Sequence, residues 1–240
     1  MYKKQHRNQN KLHKVIVVAI VSTIFLLCLC FYGILKNEIL LYTNKQATNA
    51  VEAQAAASNA KAEEKEEITK PDWITQDFLE INEYSRPGKK LVAVNAIVIH
   101  YTGNPGTTAV QHRHYYSELA TTHEASVSSN YVVGIEGEVI QCIPTDEVAY
   151  ASNDRNSDTL SIEVCHKDKS GKFTDASYES TVKLTAYLCE KFNLGEDGII
   201  RHYDVTGKIC PKYFVDHEHA WLQFKKDVIQ SMETESWKFN

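Results

Sequence analysis

The polarity of the chain changes character twice. Residues 15–35, from Val15 to Leu35, run for 21 positions without a charge, long enough to cross a hydrocarbon core as a helix. Residues 37–70 then turn polar and Ala-rich, with Ala53-Gln54-Ala55-Ala56-Ala57 followed by the charged run Lys61-Ala62-Glu63-Glu64-Lys65-Glu66-Glu67. Ala, Glu, Lys and Gln favour helix, yet no apolar stripe there needs a core. The segment reads as a semi-rigid or disordered stalk whose charges are simply solvated. Beyond residue 70, apolar runs and amphipathic stretches alternate. Their periodicity predicts strands near 94–100, 129–134, 138–143, 159–165 and 198–201, and helices near 108–120, 177–193 and 216–231. Gly137 in Ile135-Glu136-Gly137-Glu138 predicts the tight turn of a hairpin between the second and third strands. The order is α/β.

Charge orients the first of these segments. Lys3, Lys4, Arg7, Lys11 and Lys14 precede the apolar span and no acidic residue does, so the positive-inside rule places the N-terminus in the cytoplasm and everything after Lys36 outside. A cleaved signal peptide shares the basic start, but this span is longer than a signal core and no small-x-small site follows it. Cys28 and Cys30 each follow a Leu, where a lipid-attachment site prefers a small residue. The expected organisation is a cytoplasmic tail over 1–14, a transmembrane helix over 15–35, a stalk over 36–70 and a compact domain over 71–240, held outside a cell membrane by a single pass. Residues 71–240 carry 25 Asp and Glu against 16 Lys and Arg, a net charge of −9. Nucleic-acid binding calls for a basic face and is not expected.

Candidate chemistry gathers at the ends of two strands. His100 closes the run Ala96-Ile97-Val98-Ile99 just before the turn residues Gly103-Asn104-Pro105-Gly106, and His202 and Cys210 lie in Arg201-His202-Tyr203-Asp204-Val205-Thr206-Gly207-Lys208-Ile209-Cys210-Pro211. Two imidazoles and a thiolate are the ligand types a catalytic zinc takes when its fourth position is left to water, and strand ends are where α/β domains bind ligands. Lys208, two residues from Cys210, offers a cation for an oxyanion. His-x7-Cys is no general zinc signature, and the chain has ten His and six Cys, so core or surface histidines are the competing reading. In Ser161-Ile162-Glu163-Val164-Cys165, strand alternation puts Glu163 on one face with Ser161 and Cys165, and Ile162 and Val164 on the other. A carboxylate among apolar neighbours is expensive to bury without a cation, metal or water. Its alternative is a solvated sheet face.

Four stretches in order resemble the zinc-dependent N-acetylmuramoyl-L-alanine amidases of amidase type 2, relatives of peptidoglycan recognition proteins and amidase-type phage lysozymes. They are Asn95 to Thr102, Ser129-Asn130-Tyr131-Val132-Val133-Gly134, Ser161-Ile162-Glu163-Val164, and Arg201-His202 through Lys208-Ile209-Cys210-Pro211. The resemblance covers about residues 76–232. It implies a mixed central β-sheet flanked by helices, Zn2+ held by His100, His202 and Cys210, and peptidoglycan as substrate. It also implies Glu163 as general base and Lys208 as the oxyanion's cation. The membrane is an expected partner through the N-terminal helix.

The match has departures. The position of a second-strand tyrosine near the metal in some relatives falls on Ser129, and Tyr131 on that of a packed aromatic. A histidine common after the third strand is replaced by Tyr150-Ala151-Ser152-Asn153. His112 with His114, and His217 with His219, are pairs two residues apart that do not share a helix face and are expected at the surface. His166 follows Cys165 and could line the cleft, but no role is assigned to it. With Cys210 on zinc, Cys142, Cys165 and Cys189 remain, which leaves a Cys142–Cys165 bridge open. Two other functions compete: a peptidoglycan-binding module without catalysis, and a metal-independent Cys/His hydrolase with Cys210 as nucleophile.

Overall fold

Strands β2 (Ala96–Tyr101) and β5 (Thr159–Val164) are almost unbroken buried runs because they lie side by side in the middle of a sheet covered on both faces. The structure, a computed structural model, describes Lys36 and residues 68–239. The expected cytoplasmic tail and transmembrane segment, and nearly all of the stalk, lie outside the described residues. Among the described residues no helix is long and apolar enough to cross a membrane. The folded unit runs over Ile68–Asn240.

Among the described residues the sheet has six strands in the order β1-β4-β3-β5-β2-β6, where β1 is Ile74–Gln76, β3 Tyr131–Val133, β4 Val139–Gln141 and β6 Ile199–Arg201. β3 and β4 pair antiparallel and every other neighbouring pair is parallel. The sheet is therefore mixed, with helices on it, and the five expected strands are all present with somewhat different ends. β1 was not among them. It is three residues long with only Ile74 buried, so its sequence carries no period-2 pattern.

Alternation divides the sheet into two cores. Ile97, Ile99, Leu160, Ile162, Val164, Tyr131 and Val133 face helices α2 (Asp175–Phe192) and α5 (Glu218–Glu233), where Leu184, Leu188, Trp221, Phe224 and Val228 meet them. Burying each such large side chain stabilises the fold by about 1.5–3 kcal/mol. Val132, Ile140, Cys142 and Cys165 face α1 (Ala109–Thr122), which presents Ala109, Tyr116 and Leu119 on one stripe. The helix starts where Thr108 and Gln111 form a reciprocal capping box. In α2 the buried hydroxyls of Thr181 and Thr185 donate to the carbonyls of Ser177 and Thr181 at 2.6 and 2.7 Å, which lets polar side chains sit in a core.

The β3–β4 hairpin turns at Gly137, whose φ of +91° only glycine adopts readily. A Cβ there would stand 2.9 Å from Ser180 Oγ and 3.0 Å from the Ala176 carbonyl oxygen, both on α2. Thr174, the N-cap of α2, ties the turn down by donating to the Ile135 carbonyl at 2.6 Å. Two further helices, α3 (His202–Thr206) and α4 (Lys212–Asp216), have five residues each, too few to show a helical period in sequence.

Candidate metal centre

Parallel pairing sets a row of side chains across the C-terminal ends of the strands. His100 of β2 is directly opposite Glu163 of β5, which in turn is opposite Val132 of β3. On the other side of β2, Ile99 pairs with Arg201, so His202 follows at the level of His100. Alternation turns Ile99 and Arg201 toward the α5 core and leaves His100 and His202 on the opposite face, with Glu163. A single register thus lines up a carboxyl and two imidazoles. Asn130 locks it: its backbone N–H donates to Ser161 Oγ at 3.1 Å and its side-chain oxygen accepts from Ser161 N at 3.0 Å.

Cys210 arrives by a reversal of the chain. Helix α3 ends after one turn at Gly207 in the left-handed region, φ +77°, and the chain doubles back until Tyr203 N donates to Cys210 O at 2.9 Å. Arg201 fixes this corner from below. Its buried guanidinium donates to Asp204 at 2.9 Å, to Glu218 at 2.6 Å and to the Phe214 carbonyl at 3.1 Å, and it stacks 5.2 Å from the Trp221 ring. One cation therefore ties α3, α4 and α5 together beside His202.

His100, His202 and Cys210 are all buried, and their donor atoms lie within 4.8 Å of one another. His100 Nδ1 is 3.8 Å from Cys210 Sγ and 4.0 Å from Glu163 Oε1. His202 Nδ1 is buried with no hydrogen-bond partner, and so is Glu163 Oε2. A buried imidazole nitrogen without a protein partner, beside a thiol and a second imidazole, makes a donor set suited to a metal ion rather than to a packed core. The donors fit zinc, a borderline-soft ion that accepts mixed nitrogen and sulfur.

The electrostatics suit that role. Burial, then the charges of His202 and Lys208, hold His100 well below the usual histidine range. Burial and Lys208 lower His202 to about 4. Both are neutral at pH 7, as metal ligands must be. Burial pushes the Glu163 carboxyl up to about 8, against the pull of Lys208. Burial, then the Glu163 charge, raises the Cys210 thiol to about 12. Lys208 itself is exposed, and its charge acts on all four groups.

Other sequence-marked residues fall elsewhere. Tyr131 is packed in the α2–α5 core and Ser129 is buried, donating to Tyr131 O at 2.8 Å. His114, His217 and His219 are exposed. His112 is a correction: it is buried, with Nε2 2.7 Å from Thr107 Oγ1, because the first turn of α1 folds under the 103–107 loop. His166 is buried and stacked on Tyr101 at 5.1 Å. Cys142, Cys165, Cys189 and Cys210 are all free thiols, so the Cys142–Cys165 bridge left open is not formed.

Three contributors had no signal of their own in the sequence. Ser152 and Asn153 reach the outer nitrogens of the two imidazoles, with Ser152 Oγ 3.4 Å from His100 Nε2 and Asn153 Oδ1 2.9 Å from His202 Nε2. They stand in the stretch where the chain departs from the resemblance. Tyr116 of α1 is buried next to Ser129, near enough to Glu163 for that charge to help raise its phenol well above the usual range, after burial itself. Its place on the core stripe of a helix hid that proximity.

Several known proteins resemble the chain in sequence and in fold. The chain is 33% identical over 167 residues to the N-acetylmuramoyl-L-alanine amidase CwlL of Bacillus licheniformis, a match spanning 65% of this chain and 46% of that protein. It is 35% identical over 184 residues to the N-acetylmuramoyl-L-alanine amidase BlyA of Bacillus subtilis strain 168, spanning 68% and 48%. The chain thus spans about half the length of these relatives. The solved catalytic domain of XlyA superposes with a TM-score of 0.56 at 25% identity, over 65% of this chain and 98% of that one. The Staphylococcus aureus hydrolase AmiA, at 17% identity and a TM-score of 0.53, shares the fold. A family model described as N-acetylmuramoyl-L-alanine amidase matches residues 90–213, a stretch that holds every residue of the centre, and the chain belongs to that family, amidase type 2.

Proposed function

We propose that this protein is a membrane-anchored peptidoglycan hydrolase that cuts the amide between the lactyl group of N-acetylmuramic acid and the L-alanine of the stem peptide. The observation that carries the reading is the convergence of His100, His202 and Cys210 within 4.8 Å, with the half-buried carboxyl of Glu163 4.0 Å from His100 Nδ1. The three side chains would hold zinc, which when bound lowers the pKa of water toward about 7 and polarises a carbonyl.

The Glu163 carboxyl, raised to about 8 without metal, would be lowered by zinc held beside it, and the ionised carboxylate then takes the proton of the attacking water and passes it to the departing amide nitrogen as the carbon–nitrogen bond breaks. Glu163 stands at the strand end between Val132 and His100 in the register of the sheet. Lys208 stabilises the negative charge that develops on the carbonyl oxygen. The uncharged span 15–35 would anchor the chain and the stalk would keep the domain at the wall, raising its effective concentration there.

A metal-independent thiol mechanism needs a thiolate near neutral pH, whereas burial raises Cys210 to about 12. A binding module without catalysis has no use for an unpartnered buried carboxyl oxygen beside two imidazoles.

Digestion of purified peptidoglycan, followed by mass analysis, tests the bond cut. Free lactyl carboxyls matched by new L-alanine N-termini are expected, and these products should vanish on chelation and return with zinc. Undiminished cleavage after exhaustive metal removal would overturn the zinc reading, and intact peptidoglycan would overturn the enzyme.

A further inference from the structure

We propose that Ser152 and Asn153 are positioning residues for the metal centre: one dipeptide accepts hydrogen bonds from the outer nitrogens of both imidazoles and so turns both Nδ1 atoms toward the ion. The inference rests on the zinc reading above and adds residues to it.

A neutral imidazole carries its proton on one nitrogen and its lone pair on the other, and the hydrogen bond at one end decides which. Asn153 Oδ1 accepts only, so at 2.9 Å it draws the proton of His202 to Nε2. That leaves the lone pair on Nδ1, the atom that is buried and without a partner. His100 has a parallel geometry, with Nε2 3.4 Å from Ser152 Oγ and Nδ1 facing Cys210 Sγ at 3.8 Å; the hydroxyl can donate as well as accept, and here it is assigned the accepting role. The two ligands come from different parts of the chain, but their outer nitrogens meet consecutive residues.

The segment is built to hold that position. Asn153 sits at φ +52°, a left-handed conformation that Asn tolerates better than most side chains. The 3-10 turn Asn153–Arg155 follows directly. Asn156 Oδ1 accepts from Ala151 N at 3.0 Å and from Ser152 N at 2.6 Å. Arg155 pairs with Asp158 at 2.8 Å, and Thr159 Oγ1 donates back to the Arg155 carbonyl at 2.7 Å, tying the turn to the start of β5. Ser128 and Tyr150 exchange bonds at its other end, at 3.0 and 3.1 Å. Ser152 is itself buried, so water cannot easily replace its hydroxyl against His100.

The test compares the full-length chain with Ser152→Ala, Asn153→Gly and Asn153→Asp. Glycine keeps the left-handed backbone and removes the acceptor; aspartate keeps an acceptor oxygen. Zinc affinity is measured by competition with a chromophoric chelator, and long-range proton–nitrogen spectra of histidine-labelled, metal-free protein read the tautomers. The expectation is Nε2–H at His100 and His202 in the wild type. Zinc binding should weaken about tenfold in Ser152→Ala and Asn153→Gly, the lower end of the range for partners of metal-bound histidines. Those two variants should also show mixed tautomers, while Asn153→Asp binds at least as tightly as the wild type. Nδ1–H tautomers in the wild type overturn the inference. So do unchanged affinities in the Ser152→Ala and Asn153→Gly variants, or equal losses in Asn153→Gly and Asn153→Asp. A wild-type chain that takes up no zinc instead overturns the zinc reading itself.

Discussion

The general-base role proposed for Glu163 rests on an environment an ordinary surface carboxylate lacks: it is half-buried opposite His100, with its buried Oε2 unpartnered. Glu163→Gln keeps the shape but cannot take a proton. It should retain zinc and the fold while turnover falls about 100-fold or more; near-normal turnover with zinc bound would send the search for the base elsewhere. The role proposed for Lys208 differs, since an oxyanion contact strengthens only as charge develops. Lys208→Ala should therefore lower kcat on a soluble muropeptide more than it raises KM. A change confined to KM would make Lys208 a contact to bound substrate.

Elements place these residues, and the β3–β4 hairpin is the one most exposed to a single substitution. Gly137→Ala forces an L-residue to φ +91° and drives its Cβ to 2.9 Å from Ser180 Oγ and 3.0 Å from a helix carbonyl. A loss of about 1–3 kcal/mol is expected in denaturant unfolding, without change in zinc stoichiometry, because the turn meets α2 rather than the centre. Unaltered stability would mean that the hairpin can shift off α2. The hairpin's turn residue could be read in sequence because φ > 0 has a chemical signature. Strand β1 and helices α3 and α4 could not, since elements of three to five residues are shorter than the periods that reveal them.

For the whole molecule, the titratable groups of the centre couple stability to pH. His202 is lowered to about 4 and His100 well below its usual range. Both are neutral in the folded state, so protonation favours unfolding: stability drops as pH falls below about 6.5 toward 4. Glu163, raised to about 8, works in the other direction, since a carboxyl held protonated in the fold loses stability as pH rises from about 4.5 to 8. Metal-free Glu163→Gln should thus unfold at a higher temperature than metal-free wild type above about pH 5, with the gap widening toward pH 8. Equal melting curves across that range would show that the carboxyl is not desolvated. The anchor is tested in bacterial cells stripped of their wall. Protease should remove the chain beyond residue 36 and spare the cationic tail. Resistance until the membrane is opened would reverse the orientation, and a mature chain starting beyond residue 35 would identify a cleaved signal.

Composition and periodicity by themselves determined the α/β order, the position of five strands and three long helices, and the types of residue able to hold a metal. These are local properties, written in spacing and side-chain chemistry. That His100, His202 and Cys210 meet was an expectation drawn from resemblance; the parallel register of β5, β2 and β6 and the reversal after Gly207 are what bring them within 4.8 Å. Only tertiary structure buried His112 beneath a loop, left the cysteines unbridged, and set Ser152 and Asn153 against the two imidazoles. A hydrogen bond spanning about fifty positions leaves no period in the chain, because its geometry is made by the packing of elements that are distant in sequence.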